Sequence, residues 1–241
     1  MAGIPEKPEE VFSDFSGDLG GLFGDGLASI ILYGSGASGD YIPGKSDLNF
    51  LVVLNESALE KLEDAAPLQK KWRKRRIAAP LFMTQEDLCR SIDSFPLEFL
   101  NIKQSYIPVH GPDVLKDLAL DPESVRLQCE RELRGKALLL QGRFLETGGD
   151  AKRIRELIGV SIIAFLSIFR GLLHMKGVEI PRGRKDLVDA ACALFGIDKK
   201  TFLDCIEIKE EGRKFSADET KSIFRAYLRE VRNLARKVDR I

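Results

Sequence analysis

The chain has 241 residues, 44% of them apolar, and its 37 Lys and Arg are balanced by 37 Asp and Glu, so the formal charge is zero. That length supports two modest domains or one large one. The charge balance argues against a general nucleic-acid binder, which is usually basic. The cysteines Cys89, Cys129, Cys192 and Cys205 show no Cys-x-x-Cys spacing, and His110 and His174 are too far apart in sequence to suggest a zinc site. Read as free, mostly buried thiols of a reducing compartment, with a polar acidic N-terminus unlike a secretory leader, they predict a cytoplasmic protein.

In chain order, Glu6 to Leu22 reads as a weak helix, because the glycines from Gly17 to Gly26 each cost about 1 kcal/mol against Ala inside one. Ile30–Tyr33 and Phe50–Leu54 have the length and β-branched content of buried strands. Between them lie Gly34-Ser35-Gly36 and a polar segment ending in Ser46-Asp47-Leu48-Asn49. A glycine turn after a strand lets backbone N–H groups approach a phosphate, and a helix starting at Ser35 would add a partial positive charge. Asp47 and Asn49, two residues apart, share one face of a strand. The pattern is a phosphate cradle facing a hard-cation site.

Ser57 to Arg75 reads as a helix that Pro67 interrupts, ending in the basic run Lys70–Arg76. That run is either a solvated helix end or a polyphosphate contact. Ile77–Met83 reads as a third strand, Thr84 with Asp87 as a helix start, and Pro96–Ile102 as a fourth strand. From about Pro112 the apolar period becomes helical, which places domains at 1–112 and 113–241. Five helices follow: Pro122–Thr147, an apolar central helix from Asp150 to Lys176, Asp186–Phe195, Asp198–Arg213 and Ser216–Val238. Short connections argue for an antiparallel helical bundle. The most apolar run, Leu157–Phe169, is flanked by Arg155 and Arg170 and is too short to span a bilayer, so no membrane is expected.

The stretch from Leu27 to Leu54 resembles the signature of the DNA polymerase beta-like nucleotidyltransferase superfamily: an apolar strand, Gly-Ser, a short helix, a loop, then Asp-x-Asp on the next strand. With the bundle, it is similar to minimal and aminoglycoside-type nucleotidyltransferases. The resemblance implies an α+β fold, a mixed sheet with flanking helices followed by the bundle. It implies transfer of a nucleoside monophosphate from a nucleoside triphosphate, ATP first, to a hydroxyl of a small molecule or protein. It implies Mg²⁺, or Mn²⁺ in its place, on Asp47, position 49 and a third acid from a neighbouring strand. Glu98 takes that place, so Asp47 and Glu98 are the catalytic candidates. Gly34, Ser35 and Ser46 are the nucleotide contacts.

Position 49 departs from the signature, since Asn49 stands where the second aspartate belongs. An amide oxygen still ligates Mg²⁺ but brings no charge, and one charge a few Å from a dication is worth on the order of several kcal/mol at an effective dielectric near 20. Three outcomes stay open: a slow enzyme, use of another acid such as Asp40, or a nucleotide-binding or regulatory protein without turnover. The acceptor, the oligomeric state, with a homo-oligomer allowed, and a general base among Glu130, Glu132 and Glu146 stay open as well.

Overall fold

The computed structural model describes residues 3–239. The first helix, α1 (Phe12–Phe23), runs through Gly17, Gly20 and Gly21. Tertiary packing outweighs glycine's low propensity there, because Val11, Phe15, Leu19 and Phe23, spaced by four, form one buried stripe. Strand β1 (Leu27–Tyr33) leads through Gly34 into the one-turn helix α2 (Ser35–Ser38). Strand β2 (Asn49–Leu54) lies antiparallel to β1, with Tyr33 opposite Asn49 and Leu32 opposite Phe50. On one sheet face Ile30, Leu32, Leu48, Phe50 and Val52 join the α1 stripe in a single core. Ile31, Leu51 and Val53, which point the other way, are also fully buried, so both faces of the sheet are covered.

After β2 come α3 (Glu56–Leu59), a 3₁₀ turn, and α4 (Ala66–Lys74), which starts afresh with Pro67 in its first turn. The single long helix read from the sequence is therefore broken at the proline, where no helix-interior N–H is available. Asp18 on α1 accepts from Trp72 Nε1 at 2.9 Å and pairs with Lys71 at 2.7 Å, and Asp14 pairs with Arg75 at 2.7 Å. Two of the six basic residues of the run, Lys71 and Arg75, thus clamp α4 onto α1 together with Trp72.

Strand β3 (Leu81–Thr84) is parallel to β2, and α5 (Gln85–Ser91) follows behind a capping box of Thr84 and Asp87. Here the sequence reading needs correction. Pro96–Ile102 is not a strand: helix α6 spans Pro96–Gln104, and the fourth strand β4 is Tyr106–His110. Pro96 fits the first helical turn, and the buried Leu97, Phe99, Leu100 and Ile102 fall at the i, i+3 spacing of a helix face. β4 carries Pro108, which is tolerated because β4 is an edge strand in the order β3-β2-β1-β4. At its end Gly111 has φ +71, and a Cβ there would sit 2.0 Å from the carbonyl oxygen of Ala28. The buried Ser29 hydroxyl donates to the carbonyls of His110 and Pro112, closing that corner.

The chain divides into two compact units between Ala119 and Leu120. The second unit holds α7 (Pro122–Glu146), α8 (Ala151–Met175), α9 (Arg184–Phe195), α10 (Lys199–Glu210) and α11 (Ala217–Val238). Asp121, Asp150, Asp198 and Ser216 cap four of them by accepting backbone N–H groups. The apolar helix α8 is long and apolar enough to cross a membrane, with a mean hydropathy of 1.9 over its most apolar window. In the fold it is the central helix, packed by α7, α9, α10 and α11, with Ile154, Ile158, Ile162, Phe165 and Phe169 buried.

Candidate functional site

The β1–α2 turn has the geometry a phosphate cradle requires. Gly34 sits at φ +72, ψ −145, a backbone region open in practice only to glycine. Its carbonyl accepts from Ala37 and Ser38 at 2.9 and 3.0 Å, which starts α2. The N–H groups of Ser35 and Gly36, at the start of the helix, have no acceptor within it. Asn49 stands beside this turn: a Cβ on Gly34 would lie 3.5 Å from Asn49 Nδ2. The structure therefore brings Gly34, Ser35 and Asn49 together.

Asp47 lies in the loop just before β2, 55% exposed. Leu48 N donates to the Arg76 carbonyl at 2.8 Å and Ala78 N to the Leu48 carbonyl at 3.0 Å. That parallel bridge sets Leu48 beside Ile77 in the core and puts Asp47 and Arg76 next to each other on the opposite face. Arg76 Nε stands 3.1 Å from Asp47 Oδ1. The residue facing Asp47 from the segment that leads into β3 is thus an arginine, and Ile77 to Thr84 contains no acid. Ser46, read as a nucleotide contact, holds its own loop instead: its hydroxyl accepts from Ile42 N at 3.0 Å.

Glu98 is in the first turn of α6, not on a strand beside β2, and the residue is exposed. Asp40, the substitute acid, accepts from the Ser38 hydroxyl at 2.9 Å in the exposed loop after α2. In the helical unit Glu130 is paired with Arg126 and Arg134, and Glu132 with Lys136, while Glu146 is exposed. Among the described residues no group of three or more His, Cys, Asp or Glu side chains is placed to hold a metal.

These donors do not fit a two-metal centre, which needs several convergent carboxylates. The one carboxylate in place already faces a cation, and its strand partner is a neutral amide. Even at the water limit a unit charge 4 Å from a dication is worth about 2 kcal/mol, or more than tenfold in affinity.

Arg76 is the residue that sequence reasoning passed over, having counted it with the basic run. No local signal marks it: only the isolated parallel bridge of Leu48 with Ile77, ahead of β3, puts residue 76 beside residue 47. Tyr33 was missed too. It lies between Asn49 and Tyr106 in one cross-strand row, and burial raises the pKa of its phenol.

Residues 15–105 match the family model described as nucleotidyltransferase domain. The fold is similar to the crystal structure of spectinomycin adenyltransferase AAD(9) from Enterococcus faecialis with ATP and spectinomycin. The TM-score is 0.58 at 12% identity, over 96% of this chain and 99% of that one. No curated protein matches the chain.

Proposed function

We propose, from the match of residues 15–105 to the nucleotidyltransferase-domain model and from the shared fold, that the chain binds a nucleoside triphosphate, ATP first, at the Gly34–Ser35 turn. We further propose that it works as a nucleotide-binding protein whose two-metal transfer chemistry is lost. The observation that carries this reading is the Asp47–Arg76 ion pair at 3.1 Å beside the neutral Asn49. The phosphates meet the Ser35 and Gly36 N–H groups and the start of α2, while Asn49 Nδ2 adds a donor at the turn's edge.

A second reading is nucleotidyl transfer, in which an acceptor hydroxyl attacks the α-phosphorus and pyrophosphate leaves. It is favoured by the family match and by a fold shared with an enzyme crystallised with ATP and spectinomycin. The acceptor would be a small molecule or a protein.

Calorimetric titration of ATP, run beside a pyrophosphate-release assay with Mg²⁺ or Mn²⁺ and a cell lysate as acceptor source, separates the two. Micromolar binding that Gly34→Ala weakens, without pyrophosphate release, is the expected result. Steady pyrophosphate release would replace the first reading with the second.

A further inference from the structure

We propose that Arg76 is the resident cation of this site: its guanidinium holds the place at Asp47 that a divalent metal would take and binds the triphosphate itself, so that the preferred ligand is nucleotide free of metal. This rests on the nucleotide-binding reading above.

Four observations converge. The parallel bridge through Leu48 and Ile77 fixes Arg76 beside Asp47 by backbone hydrogen bonds, not by a flexible side chain alone. Arg76 has φ +60, one of two non-glycine residues with positive φ among those described. Such a conformation is disfavoured for arginine, and persists where surrounding contacts overrule it. The guanidinium is anchored by Nη2, which donates to the Lys45 carbonyl at 2.6 Å, while Nε, screened from solvent, lies 3.1 Å from Asp47 as a charge pair without a hydrogen bond. Among the described residues Nη1 has no hydrogen-bond partner, and it is not shut off from solvent, so a donor remains for an incoming oxyanion.

The fourth observation is the charge count. Asp47 contributes one negative charge, Asn49 none and Arg76 one positive charge, so the three side chains together carry no net charge. A centre built from three acids would be strongly negative and would need dications before it could accept a polyphosphate. With its one carboxylate balanced by Arg76, this corner has no surplus negative charge to draw in a dication or to repel a polyphosphate. Guanidinium suits the task, since its planar donors match phosphate oxygens and it keeps its charge. The reach is adequate: Asn49, whose Nδ2 lies beside the Gly34 turn, is two residues from Asp47, roughly 7 Å along the chain. A triphosphate seated on the turn spans that gap.

The test measures ATP affinity in EDTA and in excess Mg²⁺ for wild type, Arg76→Gln and Arg76→Lys. Separately, it measures Mn²⁺ binding by electron paramagnetic resonance for wild type, Asp47→Ala and Arg76→Gln/Asn49→Asp. Wild type should bind ATP at least as tightly in EDTA as in Mg²⁺. Arg76→Gln should weaken binding in EDTA by about tenfold or more, the loss of a charge-assisted contact, with Arg76→Lys between the two. Wild type should hold Mn²⁺ no better than Asp47→Ala, and Arg76→Gln/Asn49→Asp should gain a site. The proposal is overturned if ATP binding requires Mg²⁺ and survives Arg76→Gln, or if wild type binds Mn²⁺ in a manner that Asp47→Ala abolishes. Absence of ATP binding in both buffers would defeat the nucleotide reading and the phosphate role of Arg76. The Mn²⁺ series, which needs no nucleotide, would still decide which cation holds the place. Thermal melts identify any variant that fails to fold, and Arg76→Lys, which keeps the charge, then carries the comparison.

Discussion

Two glycines show how different constraints lead to one residue type. Gly34 has ordinary space where a Cβ would go, with Asn49 Nδ2 at 3.5 Å, so its requirement is the backbone angle. Gly111 combines a positive φ with a Cβ position 2.0 Å from the Ala28 carbonyl oxygen, an overlap no rotamer relieves. Gly34→Ala should therefore cost about 1–3 kcal/mol, the price of a disfavoured conformation, and Gly111→Ala clearly more, because β1 and β4 must also separate. Urea unfolding midpoints of the two variants test the ranking, which fails if Gly34→Ala is the more damaging. At this same scale the site was only partly legible. Gly34, Ser35, Asp47 and Asn49 could be read from local spacing. Arg76 could not, since its neighbour Asp47 lies 29 positions away and only strand pairing joins them.

The informative contact between elements is the clamp of α4 on α1. Trp72, the only tryptophan, is buried with its indole N–H on Asp18, and its ring lies 4.9 Å from Phe15. The helix ends within two residues of Arg76, so the clamp also sets where the guanidinium begins. Removing the acceptor leaves a buried donor unpaired, which costs about 1–3 kcal/mol, whereas an exposed ion pair such as Lys71–Asp18 adds little. Asp18→Ala should therefore lower stability by that amount and alter the emission of Trp72. Asp18→Asn, which keeps an acceptor, should do so less. Equal losses in both variants would mean that charge, and not the indole bond, matters. Pro96–Ile102 teaches a related lesson. Its apolar run fits a strand and a helix equally, and the choice fell to Pro96 in a first turn and to the burial of Leu97 with Leu100.

Across the whole molecule, burial and capping set the pH range of stability. Burial pushes the thiols of Cys129 and Cys192 up to about 12 and that of Cys205 well above its ordinary value; the phenols of Tyr33 and Tyr227 are raised for the same reason. Raised folded values mean that these groups stabilise fully below their unfolded values, near 9 for a thiol, and lose that contribution as pH rises further. The carboxyls of Asp121 and Glu219 move the other way. Hydrogen bonds from the helix N-termini at Ser124 and Ser216 hold them below their usual range, so their contribution is present above about pH 4 and fades as pH falls. Calorimetry against pH should show a plateau between these limits with a steep alkaline edge. A thiol reagent at neutral pH should label Cys89, the exposed cysteine, and reach the other three only on unfolding. A second thiol reacting in the native state would contradict the burial.

The sequence by itself determined the strand–turn–strand unit around Gly34, the neutral residue at position 49, the change to helical period and the five C-terminal helices. All of these are local: side-chain period, caps and turn chemistry are written within a few residues of where they act. The tertiary structure alone decided that Pro96–Gln104 is a helix, that β3 brings no acid to β2, and that Arg76 faces Asp47. Each of those depends on which segments pair, and pairing is selected by burial of the whole sheet against α1, a sum over distant residues that no local window contains.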